Sequence, residues 1–125
     1  MVYLLIEMEK EKVVLVIDDD LNFADMFAVK LKKAGLRSIV MASGQEALDY
    51  LLKNDADFIV VDFIMPEMDG YTFYHVLTKD MKKIIPAIIL TSMYGTKEEE
   101  GLEVFVKTET NIDDLVGRIK SKLTS

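Results

Sequence analysis

Five runs of mainly apolar residues alternate along the chain with stretches in which apolar residues recur at helical spacing. The runs predict strands at Val13–Ile17, Ser38–Met41, Phe58–Val61, Ala87–Leu90 and Val104–Val106. Strands that are apolar on both sides are typical of a parallel sheet buried between two layers of helices. The pattern therefore predicts an α/β fold, namely a doubly wound, five-stranded parallel sheet with right-handed crossovers.

The stretches between the predicted strands carry helix start and stop signals. The first stretch has Phe23, Phe27 and Leu31 on one face, and Gly35 follows its last turn. Further helices are predicted to begin at the capping box Ser43–Glu46, at Gly70, and at Thr110 or Asn111. The segment between the fourth and fifth strands is different, because Gly95 and Gly101 bracket only five residues. Since three turns need about 11 residues, we expect a shortened fourth helix of one or two turns at most.

Length and charge limit the classes of function. The 125 residues are predicted to form one domain over residues 13–125, preceded by an N-terminal extension over residues 1–12. In the extension, Val2–Ile6 is compatible with an added edge strand, a partner contact or a tail packed on the domain. The net charge of −7 disfavours nucleic-acid binding, and the absence of cysteine excludes disulfides and thiol catalysis.

The sequence also bears on location. No apolar run approaches the ~20 residues that a membrane-spanning helix requires. The first residues lack the basic start and the small-residue cleavage site of a signal peptide. We therefore expect a cytoplasmic protein that does not bind membranes.

Polar side chains follow four of the five predicted strands. They are Asp18 and Asp19 after the first strand, Asp62 after the third, Thr91 after the fourth and Lys107 after the fifth. The carboxyl ends of parallel strands meet at one edge of the sheet, where ligands bind in open α/β folds. We therefore expect these side chains to lie close together.

A cluster of carboxylates needs a counter-charge. Two carboxylates at 4 Å repel each other by about 4 kcal/mol at an effective dielectric constant of 20. A Mg²⁺ ion relieves this repulsion, and it uses few carboxylates, so that positions remain for water and a phosphoryl oxygen. Lys107 and Thr91 add a cation and a hydroxyl, and a carboxylate such as Asp62 can itself be the nucleophile. The set is suited to phosphoryl transfer.

The same motifs resemble the receiver domain of bacterial two-component response regulators, which has a flavodoxin-like fold. The matching stretches are Ile17–Asp19, Val61–Asp62, Met65–Gly70, Leu90–Ser92 and Val106–Lys107. Each motif is weak alone, but all occur in order and at strand ends. The resemblance covers residues 13–123.

The resemblance implies a role for each site residue. Asp62 would accept a phosphoryl group from the phosphohistidine of a sensor histidine kinase or phosphotransfer protein. The implied Mg²⁺ ligands are Asp18 through water, Asp19, Asp62 and the backbone carbonyl of Ile64. Thr91 would move to the phosphoryl group and Lys107 would pair with it. Because the chain ends soon after its last predicted helix, we expect a stand-alone, chemotaxis-type regulator that acts on an unidentified downstream protein.

The sequence departs from the family pattern at three places. Thr108 replaces the usual proline after the lysine, which favours a trans bond there. Val104 takes the place of the aromatic switch residue, and the adjacent Phe105 should point to the opposite face of the sheet. The third departure is the shortened fourth helix. The output of the receiver is therefore expected to differ from that of the family.

Two alternative functions remain at this stage. One is a receiver-like scaffold that works without phosphorylation. The other is a phosphatase of the haloacid-dehalogenase type with Asp18 as nucleophile, because Asp18-x-Asp20, a threonine and a lysine also occur there. The residue that carries the phosphoryl group distinguishes a receiver, which uses Asp62, from a phosphatase, which uses Asp18. Incubation with a small phosphodonor and Mg²⁺ distinguishes a receiver from the scaffold. The family resemblance further places Ile64 and Met93 beside the path of the attacking water, so we expect slow hydrolysis of the phosphoryl group.

Overall fold

The structure is a computed structural model that describes residues 11–124, so Val2–Ile6 and the three interpretations of this stretch lie outside the described residues. Its five strands are β1 (Val13–Ile17), β2 (Arg37–Met41), β3 (Phe58–Val61), β4 (Ala87–Thr91) and β5 (Glu103–Val106). All neighbouring strands are parallel, and their order across the sheet is β2-β1-β3-β4-β5. The predicted doubly wound parallel sheet is therefore confirmed.

Four α-helices cover this sheet within the described range. They are α1 (Leu21–Lys33), α2 (Gly44–Lys53), α3 (Gly70–His75) and α4 (Ile112–Thr124). The helix predicted to begin at Gly70 is only partly α-helical, since α3 continues as a π-helical turn at Val76–Asp80. No helix in the described part of the chain is both long and apolar enough to cross a membrane.

Side-chain caps explain where the helices begin. The carboxylate of Asp20 accepts a hydrogen bond from the Phe23 amide at 3.2 Å and caps α1. The hydroxyl of Ser43 caps α2 by accepting from the Glu46 amide at 3.2 Å. Asn111, rather than Thr110, accepts from the Asp114 amide at 3.0 Å at the start of α4. These bonds satisfy amide groups that the first turn of a helix leaves unpaired.

The two faces of the sheet bury separate hydrophobic clusters. Leu15 and Ile17 of β1 point into the cluster beneath α2 and α3, whereas Val14 and Val16 point into the cluster beneath α1 and α4. Burial on both faces keeps the central strands rigid and fixes the direction of the residues that follow them.

The segment between β4 and β5 contains no helix. Residues 92–102 form two turns, with Gly95 and Gly101 at φ values of +76° and +75°. The predicted shortening of the fourth helix therefore goes further than expected, because the helical turns are absent altogether. The hydroxyl of Tyr71 on α3 holds the segment, donating to the Lys97 carbonyl and accepting from the Glu99 amide at 3.1 Å. A side chain from a neighbouring helix thus replaces helical hydrogen bonds.

The packing around Gly70 leads to a stability prediction. A Cβ atom added at Gly70 would lie 2.7 Å from the Asp62 carbonyl oxygen and 2.9 Å from Cδ1 of Ile89. We expect Gly70→Ala to lower the free energy of unfolding by about 1–3 kcal/mol, because the backbone at Asp62 must move. Urea denaturation measures this change. Gly117→Ala is the matched control, since its Cβ would meet nothing within 4 Å and alanine favours a helix. Equal effects of the two variants would contradict the prediction.

Candidate functional site

The structure brings the predicted site residues together at the carboxyl edge of the sheet. Carboxylate oxygens of Asp18, Asp19 and Asp62 lie within 4.8 Å of one another. Asp18, Asp62 and Thr91 are buried, whereas Asp19 is exposed to solvent. The site therefore has a buried floor and one side that is open to solvent.

Lys107 is the cation of the site. Its Nζ donates to Oδ2 of Asp18 at 2.7 Å and to Oδ2 of Asp62 at 3.4 Å. The same Nζ lies 4.1 Å from the centre of the Phe23 ring, within the range of a cation–π interaction. One ammonium group thus neutralises part of the charge of two buried carboxylates.

Backbone hydrogen bonds fix the two buried aspartates. The Asp18 and Asp62 amides continue the sheet, donating to the Met41 carbonyl at 3.0 Å and the Ile17 carbonyl at 2.9 Å. The Oδ1 atom of Asp62 also accepts from the Ile64 amide at 3.2 Å. These bonds leave the Oδ2 atoms turned towards Lys107.

Thr91 ends β4 and is fully buried. Its hydroxyl oxygen accepts from the Met93 amide at 3.2 Å. This bond ties the Thr91 side chain to the first residues of the segment between β4 and β5. A movement of the hydroxyl would therefore alter that segment directly.

Burial changes the acid–base behaviour of the cluster. Burial raises the pKa of Asp18 to about 6, although the hydrogen bond from Lys107 opposes the rise, while the charge of Asp62 adds to it. Burial alone would lower the pKa of Lys107, but the hydrogen bond to Asp18 and the charges of Asp18 and Asp62 outweigh it and raise the pKa. Lys107 therefore offsets only part of the effect of burial on the pKa of Asp18.

The donor set fits a hard divalent cation. Three carboxylates within 4.8 Å of one another provide the oxygen ligands that Mg²⁺ prefers. The Ile64 amide contacts Asp62, whereas the predicted role of the Ile64 carbonyl as a metal ligand stays a prediction.

The departures at the end of β5 have structural counterparts. The described residues contain no cis peptide bond, and Lys107 begins a 3₁₀ turn over Lys107–Glu109. Val104 packs in the cluster beneath α2 and α3, and Phe105 packs in the opposite cluster, as predicted. The hydroxyl of Thr108 shares a 2.6 Å hydrogen bond with the Tyr94 hydroxyl. Lys107 reaches both aspartates with this geometry.

Phe23 is a site residue that the sequence pattern did not reveal. Its spacing with Phe27 and Leu31 predicts a core position, and it does stack on Phe27 with ring centres 6.2 Å apart. It also borders the site, because α1 begins immediately after Asp20. The one feature of the sequence that could have identified Phe23 as a site residue is its position in the first helical turn after Asp18, Asp19 and Asp20.

Comparison with known proteins identifies the family. The family model for the response regulator receiver domain matches residues 14–118, which is most of the chain. The chain belongs to the response regulator receiver domain family. Among curated relatives of this receiver domain, the heme response regulator HssR of Staphylococcus haemolyticus is 30% identical over 114 residues, covering 87% of the chain and 50% of HssR. The chain thus spans about half the length of the curated relatives that it matches.

Solved structures agree with this assignment. The receiver domain of the Francisella response regulator 1452 is 32% identical with a TM-score of 0.78, covering 92% of this chain and all of that one. The response regulator TrrA of Thermotoga maritima, solved with Mg²⁺ and BeF, is 24% identical with a TM-score of 0.76, covering 88% of this chain and 97% of that one. The second likeness supports the fold alone. The receiver assignment does not favour the phosphatase interpretation.

Proposed function

We propose that this receiver domain accepts a phosphoryl group on Asp62. Receiver domains act by phosphorylation of an aspartate, and Asp62 stands at the end of the central strand β3. The observation that carries the proposal is the contact of Lys107 Nζ with both Asp18 and Asp62, at 2.7 and 3.4 Å. This contact gives a buried carboxylate a nearby cation for the charge that a phosphoryl group brings.

The proposed reaction balances as a simple transfer. A carboxylate oxygen of Asp62 attacks the phosphorus of a phosphohistidine, the phosphorus–nitrogen bond breaks, and the imidazole nitrogen leaves and takes up a proton. Lys107 Nζ stabilises the charge on the transferred group from its position beside Asp62. The Thr91 hydroxyl, whose oxygen accepts from the Met93 amide, then donates a hydrogen bond to a phosphoryl oxygen.

Mg²⁺ is the proposed cofactor. Asp18, Asp19, Asp62 and the Ile64 backbone carbonyl are its proposed ligands, with Asp18 acting through water. When bound, the ion neutralises charge on the phosphoryl oxygens. The structure of TrrA with Mg²⁺ and BeF supports this choice, because that protein shares the fold.

The proposed partners follow from the receiver assignment. The phosphodonor is a sensor histidine kinase or a phosphotransfer protein, and the output is binding to a downstream protein, in the cytoplasm. Phosphorylation shifts the segment over residues 92–102 between two arrangements, because Thr91 is hydrogen-bonded to its first residues. The net charge of −7 argues against nucleic acid as the direct ligand of this domain.

Intact-mass measurement tests the proposal. The wild-type protein, incubated with Mg²⁺ and acetyl phosphate, is expected to gain the mass of one phosphoryl group, and Asp62→Asn is expected to gain none. Asp49→Asn, at an exposed position of α2, is the matched control and should behave as wild type. Phosphorylation of Asp62→Asn but not of Asp18→Asn would support a phosphatase instead. No gain in the wild type would support the phosphorylation-independent scaffold.

A further inference from the structure

We infer that Phe23 is a positioning residue for Lys107, and through it for phosphoryl transfer to Asp62. The inference rests on the proposed function for its catalytic consequence but not for the contact itself. Lys107 Nζ lies 4.1 Å from the centre of the Phe23 ring. The negative face of an aromatic ring attracts an ammonium group, and the attraction grows when water is excluded.

The contact closes a ring of interactions around the site. Asp18 Oδ1 accepts from the Asp20 amide at 2.9 Å, and Asp20 Oδ1 accepts from the Phe23 amide at 3.2 Å. The Phe23 ring then meets Lys107 Nζ, which donates back to Asp18 Oδ2 at 2.7 Å. The contact of the Phe23 ring with Lys107 thereby links the start of α1 to the end of β5, and the backbone amides of Asp20 and Phe23 complete the ring of interactions.

The Phe23 ring is itself held in place. It stacks on Phe27 with an angle of 26° between the ring planes, and Phe27 is fully buried in the cluster beneath α1 and α4. Phe23 therefore offers Lys107 a supported surface rather than a mobile side chain. The side chain of Lys107 is 10% exposed, so the ring contributes to keeping solvent from it.

The local backbone explains why Lys107 needs this support. Lys107 begins a short 3₁₀ turn, and the next residue is Thr108, whose hydroxyl is engaged by Tyr94 at the surface. A lysine side chain has four rotatable bonds, and holding it in one geometry costs entropy. The Phe23 face, together with Asp18, restricts the ammonium to the side of the site that Asp62 occupies.

Two substitutions of Phe23, one that removes the aromatic ring and one that keeps it, test the inference. We expect Phe23→Leu to lower the maximum rate of phosphorylation by acetyl phosphate about three- to tenfold, the range of a partly desolvated cation–π contact. Phe23→Tyr keeps the ring and should restore the wild-type rate. Phe105→Leu is the matched control, because Phe105 also stacks under a cation, Arg118 at 5.3 Å, outside the site.

A spectroscopic measurement separates positioning from a loss of stability. Protons above an aromatic ring resonate upfield, so the ε-methylene signals of Lys107 should lie upfield in wild type, Phe23→Tyr and Phe105→Leu. They should return to ordinary values in Phe23→Leu. Wild-type rates in Phe23→Leu, an unchanged Lys107 signal, or an equal rate loss in Phe105→Leu would each overturn the inference. If the wild type is not phosphorylated at all, the proposed function fails, and the Lys107 signal still tests the contact.

Discussion

Lys107→Met is expected to lower the free energy of unfolding of the metal-free protein by about 3 kcal/mol at pH 7.5. The substitution keeps a long side chain but leaves the carboxylates of Asp18 and Asp62 buried without their cation. Breaking a buried pair by removing one partner is costly because the remaining charge stays desolvated. Two carboxylates that face each other add mutual repulsion to this cost.

The loss of stability in Lys107→Met should be smaller at low pH than at high pH. The pKa of Asp18 is about 6 in the folded protein, above its value of 3.8 in the unfolded chain. The folded state therefore binds more protons between these values, and the contribution of Asp18 to stability falls as pH rises from about 4 to 6. Without Lys107 the pKa of Asp18 in the folded state rises further, because Lys107 lowers it in the wild type. The pH range over which the contribution of Asp18 to stability falls then extends upward. The difference from wild type is therefore smaller at pH 5 than at pH 7.5.

Urea denaturation at the two pH values, with and without Mg²⁺, measures this effect. Added Mg²⁺ should recover part of the stability of Lys107→Met, because it supplies the missing positive charge. Lys30→Met is the matched control, since Lys30 contacts Asp113 at 2.8 Å but both side chains are more exposed. This surface pair should contribute less than about 1 kcal/mol. An equal loss for Lys107→Met at both pH values would exclude an electrostatic origin.

The combined substitution Ile64→Asn and Met93→Glu is expected to speed loss of the phosphoryl group at least about tenfold, equivalent to about 1.4 kcal/mol of activation free energy. The Ile64 and Met93 amides bond to Asp62 and Thr91, which places both residues at the rim of the site. Their side chains are 54% and 43% exposed, so they border the solvent path to the phosphoryl group. Polar side chains at these positions can bind and orient the attacking water, whereas apolar side chains obstruct its approach.

The decay of the phosphorylated protein, followed by intact mass after removal of the donor, gives this rate. Ile84→Asn serves as the control, because Ile84 is 90% exposed and precedes β4 at the opposite end of the sheet. Its decay should match the wild type. If the double variant also decays at the wild-type rate, the apolar rim does not limit hydrolysis.

The sheet and the acidic cluster were predictable because each depends on a repeated local pattern. An apolar run followed at once by a polar residue identifies a buried strand and the group at its end, as at Ile17–Asp18 and Val61–Asp62. Parallel topology then places these groups together, whatever their separation along the chain. The structure brings Asp18, Asp19, Asp62 and Lys107 together at this edge, and Thr91 ends the neighbouring strand β4.

Contacts between distant side chains were not predictable. Phe23 has the spacing of a core residue, and only the fold brings its ring to Lys107. The segment over residues 92–102 was expected to keep at most one or two helical turns. It has none, and the Tyr71 hydroxyl bonds to its Lys97 carbonyl and Glu99 amide. The spacing of apolar residues along the chain predicts helices and strands, whereas these two contacts depend on how separate elements pack against each other.

The Tyr71-anchored segment also brings Glu98 to the outer margin of the sheet. The carboxylate of Glu98 accepts the Val104 amide of β5 at 3.2 Å. An unsatisfied amide on a terminal strand is a template on which a foreign polypeptide can add and begin aggregation. Although the segment between β4 and β5 contains no helix, its Glu98 side chain pairs with an edge-strand amide and so disfavours fibril-like self-association. Replacing Glu98 by a neutral residue would weaken this protection.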